Sequence, residues 1–113
     1  MRRAVAFGVL SLLVPAAATA HQGAPYWSLA KVMARIDGAR LATPRRPVRV
    51  DISTTLCSGI GNSIRRGGVR RWRHFDCTYT TFRRGAVGPD VAFRVHVVGA
   101  TRFLITNGRW IEP

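Results

Sequence analysis

Lysine is almost missing from this chain: Lys31 is the single one, and the other 17 of its 18 basic residues are arginines. Acids are scarce too, five in 113 residues, so the formal net charge is +13. A coding bias toward arginine would explain the lost lysines but not the missing acids. The surplus predicts attraction to an anionic polymer such as a phosphate chain or acidic glycan, to a membrane surface, or to an acidic protein, without choosing among them. Glu112 is the sole glutamate, which leaves little carboxylate chemistry. No lysine-bearing phosphate loop, no nucleophile signature, no internal repeat and no low-complexity tract is present, and no metal or cofactor is expected.

Long apolar runs are confined to the start. Met1-Arg2-Arg3 precedes an apolar stretch from Ala4 to Val14, Pro15 breaks it, and Ala18-Thr19-Ala20 leads into His21. A charged start, an apolar run and an Ala-x-Ala ending predict a signal peptide, residues 1–20, cleaved after Ala20. The run is short of the roughly 20 residues a spanning helix needs, and Pro15 interrupts it. No cysteine sits at the cleavage point, which argues against a lipid anchor. The expected location is secreted, periplasmic or at the cell envelope, and residues 21–113 are expected to form one small domain.

Only two cysteines occur, Cys57 and Cys77. A domain this small buries only about 60–65% of its unfolded surface, so a staple matters. Secretion permits a disulfide, and two cysteines permit one intrachain pairing. The 19 residues between them match no compact metal motif, and a redox pair would read Cys-x-x-Cys. A Cys57–Cys77 disulfide follows as the expectation.

After a tail at His21–Ala24, Tyr26, Leu29, Ala30, Met33 and Ile36 recur at helical spacing, with Ser28, Lys31 and Arg35 opposite. Pro25 suits the first turn and Gly38 the position just past the end, which predicts a helix over Pro25–Asp37 with Trp27 beside its apolar stripe. Leu41–Pro47 reads as a connector. From Val48 to Cys57 the period is two, a half-buried strand. Gly59–Gly68 reads as a glycine-rich loop, Val69–Phe82 as a second strand, Arg83–Asp90 as a turn, and Val91–Val98 as a third strand with Val91, Phe93, Val95 and Val97 inward. A three-residue loop, Gly99–Thr101, keeps the faces matched by pairing Val97 with Phe103 and Val95 with Ile105. Strand four is expected over Arg102–Thr106, with Asn107-Gly108 as a turn.

These elements predict an α+β domain, one N-terminal helix packed on a four-stranded antiparallel sheet. The face away from the helix would carry Arg49, Asp51, Ser53 and Thr55, then Trp72, His74 and Asp76, then Arg94 and His96. Alternation puts Cys57 outward and Cys77 inward, a mismatch that a bulge near Leu56 would repair.

Helix with Trp27, then Cys57-x-Gly59-x-Gly61, His74-Phe75-x-Cys77, and Val95-x-Val97-x-Gly99 with Phe103 resembles a group of small secreted bacterial domains of uncharacterised function. The resemblance carries no activity. The order of elements is also similar to the cystatin-like helix-on-sheet layout, a fold-level likeness that selects no function.

The densest chemistry is Arg65, Arg66, Arg70, Arg71, Trp72, Arg73, Arg83 and Arg84. Arginine forks bind phosphates or carboxylates bidentately and Trp72 offers a stacking surface, while the plain alternative is a solvated rim. His74, Asp76, Arg94 and His96 form a second candidate on the sheet face, with Asp76 expected roughly opposite His96. A ribonuclease would need its acid and base from these residues, His74 with His96 or Asp76. An inhibitor-like protein-interaction module would need Gly59–Gly68 as an exposed loop. The favoured expectation is a secreted, non-enzymatic binding domain with a cationic surface and no assigned catalytic residue.

Overall fold

The computed structural model describes residues 25–111, so the expected leader, the tail at residues 21–24 and Glu112 lie outside it. Its elements are β1 (Trp27–Ser28), α1 (Leu29–Ile36), β2 (Arg40–Leu41), β3 (Val48–Arg49), a 3-10 turn (Ile52–Thr54), β4 (Thr55–Arg66), β5 (Val69–Arg83), β6 (Ala86–Val97) and β7 (Phe103–Ile111). The long strands lie in the order β4-β5-β6-β7, all antiparallel. β1 adds a fifth strand by pairing Trp27 with Trp72 and Ser28 with Arg71, and β2 with β3 forms a separate two-stranded ribbon.

This overturns the expected helix on a four-stranded sheet. The chain is mostly sheet, and α1 is too short to cover it. Val32 and Ile36 of α1, Leu41 of β2 and Val50, which follows β3 and bonds to Gly38 and Ala39 just past the helix, are all buried. With them the core holds Trp27, Phe75, Cys77, Val91, Phe93, Val95 and Val97. Leu41, expected to open a mere connector, is therefore part of the core.

The helix begins later than expected because Ser28 caps it, its Oγ accepting the Lys31 backbone N–H at 3.1 Å. Its inner stripe is Val32, Met33 and Ile36; Leu29 and Ala30 stay exposed, and Trp27 is a fully buried strand residue instead of a neighbour of the stripe. Gly38 follows the helix with φ +78°, a left-handed position that suits glycine. From the exposed side, Lys31 Nζ donates to Ala100 O and Arg35 donates to Thr101 O, which ties the β6–β7 loop to the helix.

The first expected strand is broken. Asp51 caps the 3-10 turn, accepting from Ser53 N at 3.0 Å and Ser53 Oγ at 2.7 Å, and Arg49 donates to Gly38 O at 2.8 Å. The turn resets the alternation: Thr55 is buried, Leu56 is 82% exposed, and Cys57 comes directly opposite Cys77. Arg49, Asp51, Ser53 and Thr55 are therefore not a row on the outer face. The disulfide joins Cys57 to Cys77 across β4 and β5, with Cα atoms 4.0 Å apart.

The expected Gly59–Gly68 loop is strand up to Arg66, because pairing with β5 outweighs the poor strand propensity of glycine. Gly59 is needed under Trp72, whose Cδ2 would lie 2.0 Å from a Cβ there. Gly61, at φ +76°, sits in a bulge between Ile60 and Ser63. Bulges sharpen local twist and re-aim side chains. Trp72 accordingly packs on the core, edge-on to Phe75 at 5.9 Å, and not on the outer face as alternation predicted.

Two-residue turns close both long hairpins, Gly67-Gly68 and Arg84-Gly85, with positive φ at all four residues, the type I′ geometry that matches strand twist. The expected Arg83–Asp90 turn thus shrinks to two residues and β6 starts at Ala86. The β6–β7 register is the one alternation demanded, Val97 opposite Phe103 and Val95 opposite Ile105. Asn107-Gly108 is a bulge and not a turn, and β7 continues to Ile111.

Candidate functional site

The outer face carries ordered cross-strand rows. Ile60, His74, His96 and Leu104 form one row, and Ser58, Asp76 and Arg94 the next. His74 stands opposite His96 and Asp76 opposite Arg94, so the expected Asp76–His96 opposition is off by one row; the shorter hairpin turn accounts for it. Arg94 Nε meets Asp76 Oδ1 at 2.8 Å, an ion pair whose half-exposed partners make it worth only about 0–1 kcal/mol.

His74 Nδ1 and His96 Nδ1 are 2.8 Å apart, and His96 Nε2 lies 2.8 Å from Thr106 Oγ1. Partial burial, reinforced by repulsion from His74 and Arg94 and opposed by Asp76, holds His96 below its ordinary value of 6.5. A neutral His96 has one N–H, so the contacts form a directional chain from His74 through His96 to Thr106, or the reverse. General acid and base in phosphodiester cleavage must flank phosphorus, each within about 3 Å of its own oxygen. Here the two imidazoles contact each other and do not flank a gap of that size. Among the described residues no group of three or more His, Cys, Asp or Glu could hold a metal ion.

The arginine cluster does not stay together. β5 rises about 3.3 Å per residue, which sets its two ends roughly 45 Å apart. Arg65, Arg66, Arg70 and Arg71 surround the first hairpin, Arg83 and Arg84 the second. At the first, Arg65 donates to Gly68 O at 3.1 Å and Arg70 to Ser63 Oγ at 2.7 Å, the Arg71 Nε is shielded without a hydrogen-bond partner, and Arg73 lies over Tyr26 at 4.7 Å.

At the second hairpin Arg83 and Arg84 meet Arg45 and Arg46 from the β2–β3 connection. The four line a groove of about 740 Å³ together with Thr81, Gly88, Pro89 and Trp110, and among the described residues no acid lines it. Both walls are built. Thr43 Oγ1 receives the Arg45 and Arg46 N–H groups at 3.2 Å each and donates to Arg46 O at 2.6 Å. Arg45 and Arg46 lie 5.2 and 5.3 Å from the Trp110 ring centroid, in cation–π range. Opposite them, Thr81 Oγ1 donates to Pro89 O at 2.7 Å, under a turn in which Arg84 has φ +54°.

Arg45 and Arg46 were absent from the candidates read in sequence. Their signal was the doublet itself, enclosed as Pro44-Arg45-Arg46-Pro47 and repeating the doublets at 65–66, 70–71 and 83–84. No protein family matches this chain, and neither a curated protein nor a solved structure is significantly similar to it.

Proposed function

We propose that this chain is an extracytoplasmic binding domain, not an enzyme, that holds an anionic partner in the groove between the 43–46 turn and the β5–β6 hairpin. The observation that carries the reading is the convergence of Arg45, Arg46, Arg83 and Arg84, from segments far apart in sequence, on one groove. Guanidinium groups gathered at one groove attract an anion with several phosphates or carboxylates, which accepts their bidentate hydrogen bonds. The secretory leader pattern and the disulfide support an oxidising compartment such as the periplasm or the exterior. A hydrolase reading draws less support, because the two histidines that would share the chemistry touch each other.

The test is titration of the oxidised chain with a short inorganic polyphosphate over a salt series. Four engaged arginines predict an affinity that falls with salt at a log–log slope of roughly three, unchanged in His74→Ala. Affinity insensitive to salt, or absent at low salt, contradicts the reading. Turnover of an RNA substrate that disappears in His74→Ala would replace it with the hydrolase.

A further inference from the structure

Beside the arginine groove the same end of the molecule presents apolar side chains that the core does not use. Phe82 and Val87 pair directly across the hairpin, 51% and 71% exposed, and both stand at the rim of the groove. Leu56, 82% exposed, shares a second shallow depression of about 360 Å³ with Phe82, in which Asp90 is the only acid among the described residues. A single exposed apolar residue is ordinary. Three at one end of a small domain, next to four arginines, form an amphipathic surface.

We infer that this end docks on an anionic lipid surface, with Phe82, Val87 and Leu56 entering the interfacial layer and Arg45, Arg46, Arg83 and Arg84 holding headgroup phosphates. The inference rests on the groove being an anion site and names its partner. A soluble polyanion would be served by the arginines alone and would leave the apolar rim in water. A lipid surface uses both, because its phosphates lie just outside an apolar layer and arginine stems lie along that boundary with their heads at the phosphates. The hairpin suits such a role. Arg84 takes a left-handed conformation at its apex, where the first hairpin uses glycine, so the turn accepts backbone strain in order to carry a cation at the tip.

Co-sedimentation of the oxidised full chain with phosphatidylcholine vesicles, with and without phosphatidylglycerol, tests the inference alongside titration with free polyphosphate. Every variant carries the same N-terminal residues, so differences report the hairpin end. The parent should bind only the vesicles containing phosphatidylglycerol. Phe82→Ser with Val87→Ser should weaken that binding about ten-fold and leave polyphosphate binding intact. Arg83→Gln with Arg84→Gln should weaken both. Vesicle binding unchanged in the serine variant, or polyphosphate binding by a parent that ignores vesicles, overturns membrane docking and leaves the anion site standing. Binding to neither overturns both.

Discussion

Trp110 donates its indole N–H to Thr43 Oγ1 at 2.8 Å, across 67 residues of sequence. That bond fastens the end of β7 to the turn carrying Arg45 and Arg46, so the groove wall is held by the sheet itself. Thr43→Val keeps the shape but leaves the indole N–H and the turn amides without their acceptor, which costs about 1–3 kcal/mol. Denaturant unfolding should register that loss, and polyphosphate affinity should fall with it. An unaltered midpoint together with unaltered affinity would mean that the wall is held some other way.

Gly59 is covered by the Trp72 ring, and a Cβ there would fall 2.0–2.3 Å from three of its atoms. Gly59→Ala must displace that ring from Phe75, at a cost of about 1–3 kcal/mol. Gly67→Ala meets open space and is opposed only by its φ of +60°, roughly 1–2 kcal/mol. Thermal melts of the two variants separate a clash from a turn effect. A Gly59→Ala protein that melts with the parent would show that Trp72 does not lie on this glycine.

Arg84 occupies a backbone region that asparagine tolerates better. Arg84→Asn should therefore stabilise the fold by roughly 0.5–1 kcal/mol while weakening anion binding, opposite effects from one substitution. Unfolding and titration on the same preparation decide this. A variant both less stable and equally tight in binding would sink the proposed trade.

His96 titrates below its ordinary value of 6.5 because of burial, His74 and Arg94. Unfolded chains take up a proton near 6.5 while folded ones do not, so this histidine's contribution to stability is full above that pH. It declines as pH falls from there toward the lowered folded value. NMR titration of the imidazole in the parent and in His74→Gln checks the cause: without His74, His96 should titrate at higher pH. An unmoved His96 would leave burial and Arg94 as the cause.

What was legible in the sequence is local or strictly periodic. The inward row Val91, Phe93, Val95 and Val97 follows from alternation, as does the register of the β6–β7 hairpin, since a two-residue loop would mix the faces. The disulfide follows from having two cysteines in a chain expected to be secreted. The architecture failed where pairing overrode propensity: Gly59 and Gly61 look like loop residues in isolation, yet one makes room for Trp72 and the other forms a bulge. The arginine site failed for a related reason. Sequence proximity grouped Arg83 and Arg84 with Arg70 and Arg71, whereas a fifteen-residue strand carries them apart and folds Arg45 and Arg46 against them instead.

Location, not amount, of positive charge decides where the anion binds. Arg46→Gln with Arg83→Gln removes two charges from the groove, and Arg65→Gln with Arg66→Gln removes two from the first hairpin. Isothermal titration of both variants with one polyphosphate at one salt concentration compares them at equal net charge. The groove variant should lose about ten-fold or more in affinity and the hairpin variant about two-fold. Equal losses would mean that the anion is attracted by overall charge and that the groove is not its site.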